Sequence, residues 1–384
     1  MKNLKTQGSG FKGVAWAAAA AACLLVAHSA LADEKASPIS IKTTGRIAAG
    51  FLDGESGTPS SVAPPTGSFK IPDAKLRFDI TAYKNIVVTL RGSFNNAAFN
   101  SLDYAFLDYN FKLGNNPARF RVGRHKVQIG DETFTDNPVE APLIFNSAGI
   151  MNGYDQGFEF WTKAGTRTPV EFVADVMNGN KTGGGTAPAV DAAKSAKAYL
   201  ARLQSQITRE IYASGSYLQT GELGTQDSAV AIGMLTKAPA SATTWKRNVW
   251  VAFARYDFQP GKKRNPAAYS DSKAFIRASY SGFKDDAQPT SSSRKGTTWM
   301  VDALWNLNTS WFVTARDSDV KLDNGVTASF NGVACNEYQR TQIGVGYRIN
   351  AATNVKVERT LNKEKGGSGN VKDNIWGAVA TVTF

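Results

Sequence analysis

From Ile39 to Phe51 the chain alternates at period two. Ile39, Ile41, Thr43, Gly45, Ile47, Ala49 and Phe51 fall on one side, and Ser40, Lys42, Thr44, Arg46 and Ala48 on the other. This is the pattern of a strand with one wet face and one dry face. After a Gly/Ser/Pro-rich stretch from Asp53 to Ser68 the alternation sharpens: Ala74, Leu76, Phe78, Ile80 and Ala82 interleave with Asp73, Lys75, Arg77, Asp79 and Thr81. Lys84-Asn85 forms a two-residue turn into Ile86, Val88, Leu90, Gly92 and Phe94, set against Val87, Thr89, Arg91, Ser93 and Asn95, with a longer loop expected to follow. Next, Ala105, Leu107, Tyr109 and Phe111 oppose Phe106, Asp108, Asn110 and Lys112. Past Gly114-Asn115-Asn116-Pro117, Phe120 and Val122 oppose Arg119, Arg121 and Gly123.

There the rhythm stops for about thirty residues, a length that is uncommon in a compact fold and usually functional. This segment carries Asp131, Glu132, Asp136 and Glu140, two prolines and a short apolar patch from Ala141 to Phe145. Further strands are expected to begin near Gly157, Val170, Lys197, Arg209, Ala229, Lys246, Ala274, Thr297, Ser310, Tyr338, Asn354 and Asn374. That makes seventeen candidates, whereas single-chain bacterial barrels have even strand numbers and short periplasmic turns. Asn306-Leu307-Asn308-Thr309 and Asn350-Ala351-Ala352 are short turns, and counting back from them leaves Ala229 to Thr236 without a partner. That segment is assigned to an outer loop, and sixteen strands remain. Val190 to Ile211 also fits a helix, with Ala193, Ala196, Leu200, Leu203, Ile207 and Ile211 at spacings of three and four; helix and strand stay open there.

Residues 1–32 read as a signal peptide: Lys2, Lys5 and Lys12, an apolar run from Val14 to Ala27, and small residues from Ser29 to Ala32. The expected mature domain, 33–384, keeps 41 basic against 32 acidic side chains and one cysteine, Cys335, so no intrachain disulfide holds it. It contains no apolar stretch near the ~20 residues of a membrane helix. Its lysines and arginines are spread singly, often facing carboxylates, which argues against nucleic acid and for anionic solutes as partners.

Alternation alone fits a soluble sandwich as well as a membrane barrel. Three features favour the barrel. Charges of both signs sit in mid-strand on the wet faces. Aromatics (Tyr83, Tyr109, Tyr256, Trp299, Trp305, Trp311, Tyr347, Trp376) sit towards the ends of the dry faces, where interfacial rings belong. Finally, the last strand, with Trp376, Ala378, Ala380, Val382 and Phe384 on one face, is similar to the terminal recognition strand of outer-membrane proteins. An all-β transmembrane antiparallel barrel of sixteen strands is therefore expected.

Ile41 to Phe51 with its Thr44-Gly45-Arg46-Ile47, Leu102 to Phe111, Phe120 to Lys126, and Trp250 to Tyr256 resemble trimeric Gram-negative porins, nearest the phosphate-selective porin O/P type. The resemblance implies a homotrimer in the outer-membrane lipid and a third outer loop folded into each pore. Porins of that type carry a ladder of basic residues with few loop acids; four acids in this loop are a departure from it.

The expected pore lining is a basic wall of Lys42, Arg46, Lys75, Arg77, Arg91, Arg119 and Arg121 facing Asp131, Glu132, Asp136 and Glu140 of the third loop. Arg124 joins the wall only if a bulge follows Gly123. Excess base predicts a diffusion channel for small hydrophilic solutes that prefers small anions. The bland reading is that these charges pair with neighbours and simply keep the lumen wet. One mature histidine, His125, and the lack of metal-ligand spacing or a phosphate-binding glycine loop leave no motif for catalysis, a cofactor or a metal. The alternative function is a receptor or structural barrel with a closed lumen.

Overall fold

The computed structural model describes residues 39–55, 67–95, 98–132, 137–166, 168–179, 197–225, 228–260, 272–323, 327–330, 333–367 and 373–384. The expected export segment 1–32 lies outside these. Sixteen strands form one antiparallel barrel: β1 (Ser40–Gly54), β2 (Ser68–Tyr83), β3 (Ile86–Asn95), β4 (Ala98–Leu113), β5 (Asn116–Lys126), β6 (Tyr154–Ala164), β7 (Val170–Met177), β8 (Ala198–Gln206), β9 (Ile211–Gln219), β10 (Thr244–Phe258), β11 (Ala274–Gln288), β12 (Arg294–Asn306), β13 (Trp311–Leu322), β14 (Glu337–Asn350), β15 (Thr353–Lys365) and β16 (Ile375–Thr383). Each pairs with the next, and β16 closes on β1 with Arg46 opposite Thr383 and Gly54 opposite Ile375. Closure removes every free strand edge, which a bilayer demands because lipid offers backbone groups no hydrogen bonds.

The two faces are inverted relative to a soluble fold. Val122, Phe158, Leu203, Val301, Val345 and Val357 point outward and are all more than a third exposed. Arg202, Arg255, Arg277 and Asp302 point inward and are almost fully buried. Such a surface is stable only against hydrocarbon. Tyr109, Tyr256, Trp305, Trp311 and Tyr347 gather on the outer face toward the short-turn end, and the Trp311 and Tyr347 rings lie 4.8 Å apart.

Three details correct or complete the sequence reading; of the segment left open between helix and strand, residues 190–196 lie outside the described residues. Only residues 96–97 separate β3 from β4, because the alternation resumes at Ala98, earlier than the charged positions suggested. Ala198–Gln206 is a strand: its 3–4 spacing of Ala and Leu is overridden by pairing to β7 and β9, which satisfies its backbone groups. Finally, pairing runs through Gly123 without a register shift on either side, and the irregularity falls in the facing strand, where Arg91 pairs with Tyr104 and Gly92 with Leu102. Gly123 is nonetheless obligatory, since its φ is 126° and a Cβ there would sit 2.3 Å from the Ala105 carbonyl oxygen.

Ala229 to Thr236 lies in the connection between β9 and β10, as expected. It folds back into the barrel as a small sheet, in which Ser228–Ile232 pairs with Leu235–Lys237 and with Met151–Asn152 from the end of the third loop. This sheet belongs to an apolar cluster inside the barrel. Val127, Ile129 and Met151 from the third loop, Val230, Ile232 and Leu235 from the fifth, and Phe330 and Cys335 from the seventh pack on inward residues of β7 to β14 such as Met177, Val251, Phe283 and Tyr338. The inner face is therefore not uniformly wet: on this side, loops fill the lumen.

Placing a charge on the lipid face should expose the inversion. Val301→Arg, in mid-β12, is expected to cost about 2–4 kcal/mol in urea unfolding from bilayers, whereas Lys295→Arg near the strand end should cost close to nothing.

Candidate functional site

The third loop leaves β5 after Lys126 and crosses the lumen. Its first carboxylate, Asp131, is 1% exposed; it accepts hydrogen bonds from Arg202 Nη2 of β8 at 2.6 Å, Tyr212 Oη of β9 at 2.9 Å and the Ser214 hydroxyl. Asp131 does not face the basic wall; it anchors the loop to the opposite one. Glu132 accepts from Arg316 Nη1 of β13 at 2.7 Å and from the Ser147 amide at 2.8 Å. Arg316 also binds Asp302, which Arg277 holds with two hydrogen bonds of 2.6 and 2.8 Å. The result is a buried chain Arg277–Asp302–Arg316–Glu132 running from wall to loop. Asp136 lies outside the described residues. Glu140 is half-buried in the turn after Asn137, and its amide donates to the Asn137 carbonyl at 3.0 Å.

The far end of the loop is tied by β14 and β15. Glu358 accepts from the Ile144 and Phe145 amides at 2.5 and 3.3 Å, and Gln342 Nε2 donates to the Phe145 carbonyl at 2.9 Å. Lys356 Nζ donates to the carbonyls of Ala141, at 2.7 Å, and Pro138. The apolar patch expected from Ala141 to Phe145 explains the landing place: Ile144 and Phe145 pack on Ala48, Leu52, Ile375 and Val379 at the β1–β16 seam.

The basic wall lies on the other side of the loop, and Arg46, Lys75, Arg77, Arg91, Arg119 and Arg121 each have partners. Arg46 Nε donates to Asp73 at 2.6 Å, Lys75 to Asp103 at 2.7 Å and Arg77 to Asp79 at 2.8 Å. Arg91 contacts Asp103 at 3.3 Å, donates to Tyr154 Oη at 2.8 Å and stacks 3.7 Å from the centroid of Tyr104. Arg121 holds Asp108 with bonds of 2.7 and 2.9 Å, while Arg119 donates to Glu159 at 2.6 Å. Arg121 also lies 3.8 Å from the Phe106 ring, so an aromatic on the wet face serves as a platform for a guanidinium. Lys42 is exposed near the start of β1. Arg124 is half-buried, at the last β4–β5 pair, and its Nε donates to the Leu102 carbonyl at 2.9 Å.

Between wall and loop lies a cavity of about 230 Å³. Five cationic side chains line it (Arg46, Lys75, Lys126, Arg316 and Lys356) against two carboxylates, Asp73 and Glu132. Lys126, Arg316 and Lys356 were missed in the sequence. Lys356 and Glu358 alternate with Val355 and Val357, a signal already present, but nothing local tells that β15 faces the loop.

A closed sixteen-stranded barrel crossed by its third loop defines an outer-membrane porin. Residues 41–202 match the family described as phosphate-selective porin O and P, and with the closed barrel this places the chain in the bacterial outer membrane. No curated protein matches it in sequence. Among solved structures it is similar to the outer membrane channel DcaP of Acinetobacter baumannii, at 14% identity and TM-score 0.61 over 90% of this chain and 97% of that one. It is likewise similar to the anion-selective porin from Comamonas acidovorans (12%, 0.58, 90% and 100%) and to the trimer form of OmpT of Vibrio cholerae (11%, 0.57, 91% and 100%).

Removing a loop tether should loosen the constriction. Glu358→Ala leaves the Ile144 and Phe145 amides without their acceptor, at a cost of about 1–3 kcal/mol for each buried donor left unpaired. Open-channel current noise should rise in planar bilayers; an unchanged noise spectrum would show that this tether does not hold the loop.

Proposed function

We propose that this porin passes small hydrophilic solutes with a preference for anions, as a homotrimer of mature chains 33–384 exported by the peptide 1–32. The excess of cationic over anionic side chains around the passage carries the reading, since charges lining a narrow aqueous path select ions by their potential. The two described loop carboxylates ahead of the turn do not oppose it. Asp131 is paired with Arg202 and Glu132 with Arg316, so these two present little net negative charge to the passage. The wall pairs soften the preference, because Asp73, Asp103 and Asp108 stand beside their arginines and lysine. The V. cholerae trimer and the C. acidovorans anion-selective porin support the assembly and the ion preference by analogy of fold. The functional lining we assign is Arg46, Lys75, Lys126 and Lys356, with Arg91, Arg119 and Arg121 as the flanking wall. A channel rather than a catalyst is what this arrangement serves.

In a KCl gradient across a planar bilayer the reversal potential should lie on the chloride side. Lys75→Glu and Lys126→Glu should each move it toward potassium, and the double variant should reverse its sign. Arg121→Ala, whose guanidinium is held between Asp108 and Glu159, should move it less. A reversal potential indifferent to Lys75→Glu removes the assignment, and absence of conductance steps in the wild type would indicate a closed lumen.

A further inference from the structure

We propose that His125, Asp175 and Glu159 form a zinc-class divalent-cation site at the root of the third loop. The three residues come from β5, β7 and β6, all are buried, and one ligand atom from each lies within 4.8 Å of the others. His125 is fully buried two residues before the loop begins at Val127.

The tautomer of His125 carries the argument. Its Nδ1 lies 3.1 Å from the Gly123 carbonyl oxygen, which can only accept, so this contact is a hydrogen bond in the tautomer that carries the proton on Nδ1, the one we assign. In the neutral ring Nε2 then presents a lone pair to Asp175 Oδ2 at 2.8 Å. Two acceptors do not approach so closely without a positive charge between them, and that charge is either a second proton or a metal ion.

Two observations favour the metal. Asp175 Oδ1 is buried without a hydrogen-bond partner, so half of this carboxylate has unused binding capacity, and such orphaned atoms are rare in native interiors. Moreover, Arg119 and Arg121 are balanced by Asp108 and Glu159, and the ion-pair partner of Asp175 is His125 itself. Glu159, oriented by Arg119 at 2.6 Å and Gln128 at 2.5 Å, supplies the third donor. The Nδ1–H bond to Gly123 is the outer contact that orients metal-bound histidines, and the positive φ of Gly123 belongs to the same turn of chain. One imidazole and two carboxylates suit zinc, leaving a fourth position for water. Ligand atoms about 2.0–2.1 Å from a tetrahedral ion stand about 3.3 Å apart, so the 2.8 Å contact need open by only about half an ångström. The ion would pin β5, β6 and β7 together where the constricting loop departs, a role independent of which solutes pass.

Because His125 has no exposed surface, Zn²⁺ is supplied during refolding of the full chain from urea into detergent, followed by desalting and elemental analysis. We expect one zinc per chain, a raised melting temperature relative to protein refolded with EDTA, and at least about tenfold weaker retention in His125→Gln and Asp175→Asn. Retention of no zinc by the wild type, or equal retention by both variants, overturns the site and leaves an imidazolium–carboxylate pair. Should the variants fail to fold, Co²⁺ substitution of the wild type decides: visible d–d bands of a four-coordinate ion support the site, and a spectrum of aqueous cobalt overturns it.

Discussion

The path of the third loop depends on buried guanidinium–carboxylate pairing across the lumen. Arg277, Asp302, Arg316 and Glu132 form an unbroken chain from β11 to the third loop, and Arg202 with Asp131 forms a second tether on the other side. Buried pairs of this kind are poor sources of net stability, because desolvation offsets their attraction. Their value is positional. A planar fork holding a carboxylate by two bonds fixes distance and direction together, and breaking one partner leaves a stranded charge, costing about 3–5 kcal/mol. The loop is therefore held where it is because every alternative position strands a charge.

That pairing is possible only because the barrel is inverted. Lipid takes the aliphatic face of each strand, so the inner face is free to carry arginines and aspartates in mid-strand. A packed apolar core on that side would leave no room for them. Inside the barrel the space then divides. On the β7 to β14 side, apolar loop residues build a small core of their own, joined by the strand pairing of Met151–Asn152 with Ser228–Ile232. On the β1 side the apolar packing among the described residues is smaller, Ile144 and Phe145 on Ala48 and Leu52 with Ile375 and Val379, and the cavity lies beside it against the basic wall.

The same division bears on the proposed anion preference. Carboxylates near an anion path usually oppose it, yet the two loop acids Asp131 and Glu132 sit in ion pairs with Arg202 and Arg316, on the walls the loop is tied to. Charge that looks exposed in a sequence can be spent in scaffolding, and the residual field is set by the groups left beside water.

The sequence by itself determined most of the strands and their two faces, because a period of two is a local property; the even count of a closed antiparallel barrel narrowed their number to the sixteen that pairing then settled. It also determined that Arg46, Lys75, Arg91 and Arg121 share one wall, since consecutive strands are neighbours. Tertiary structure alone decided what those charges meet. Arg202 and Asp131, or Lys356 and Pro138, are far apart in the chain and adjacent only after the loop has crossed the lumen. The meeting of His125 with Asp175 depends on the register of three strands. Alternation says which side a residue faces; partnership across the lumen depends on shear, closure and loop path, which no local pattern encodes.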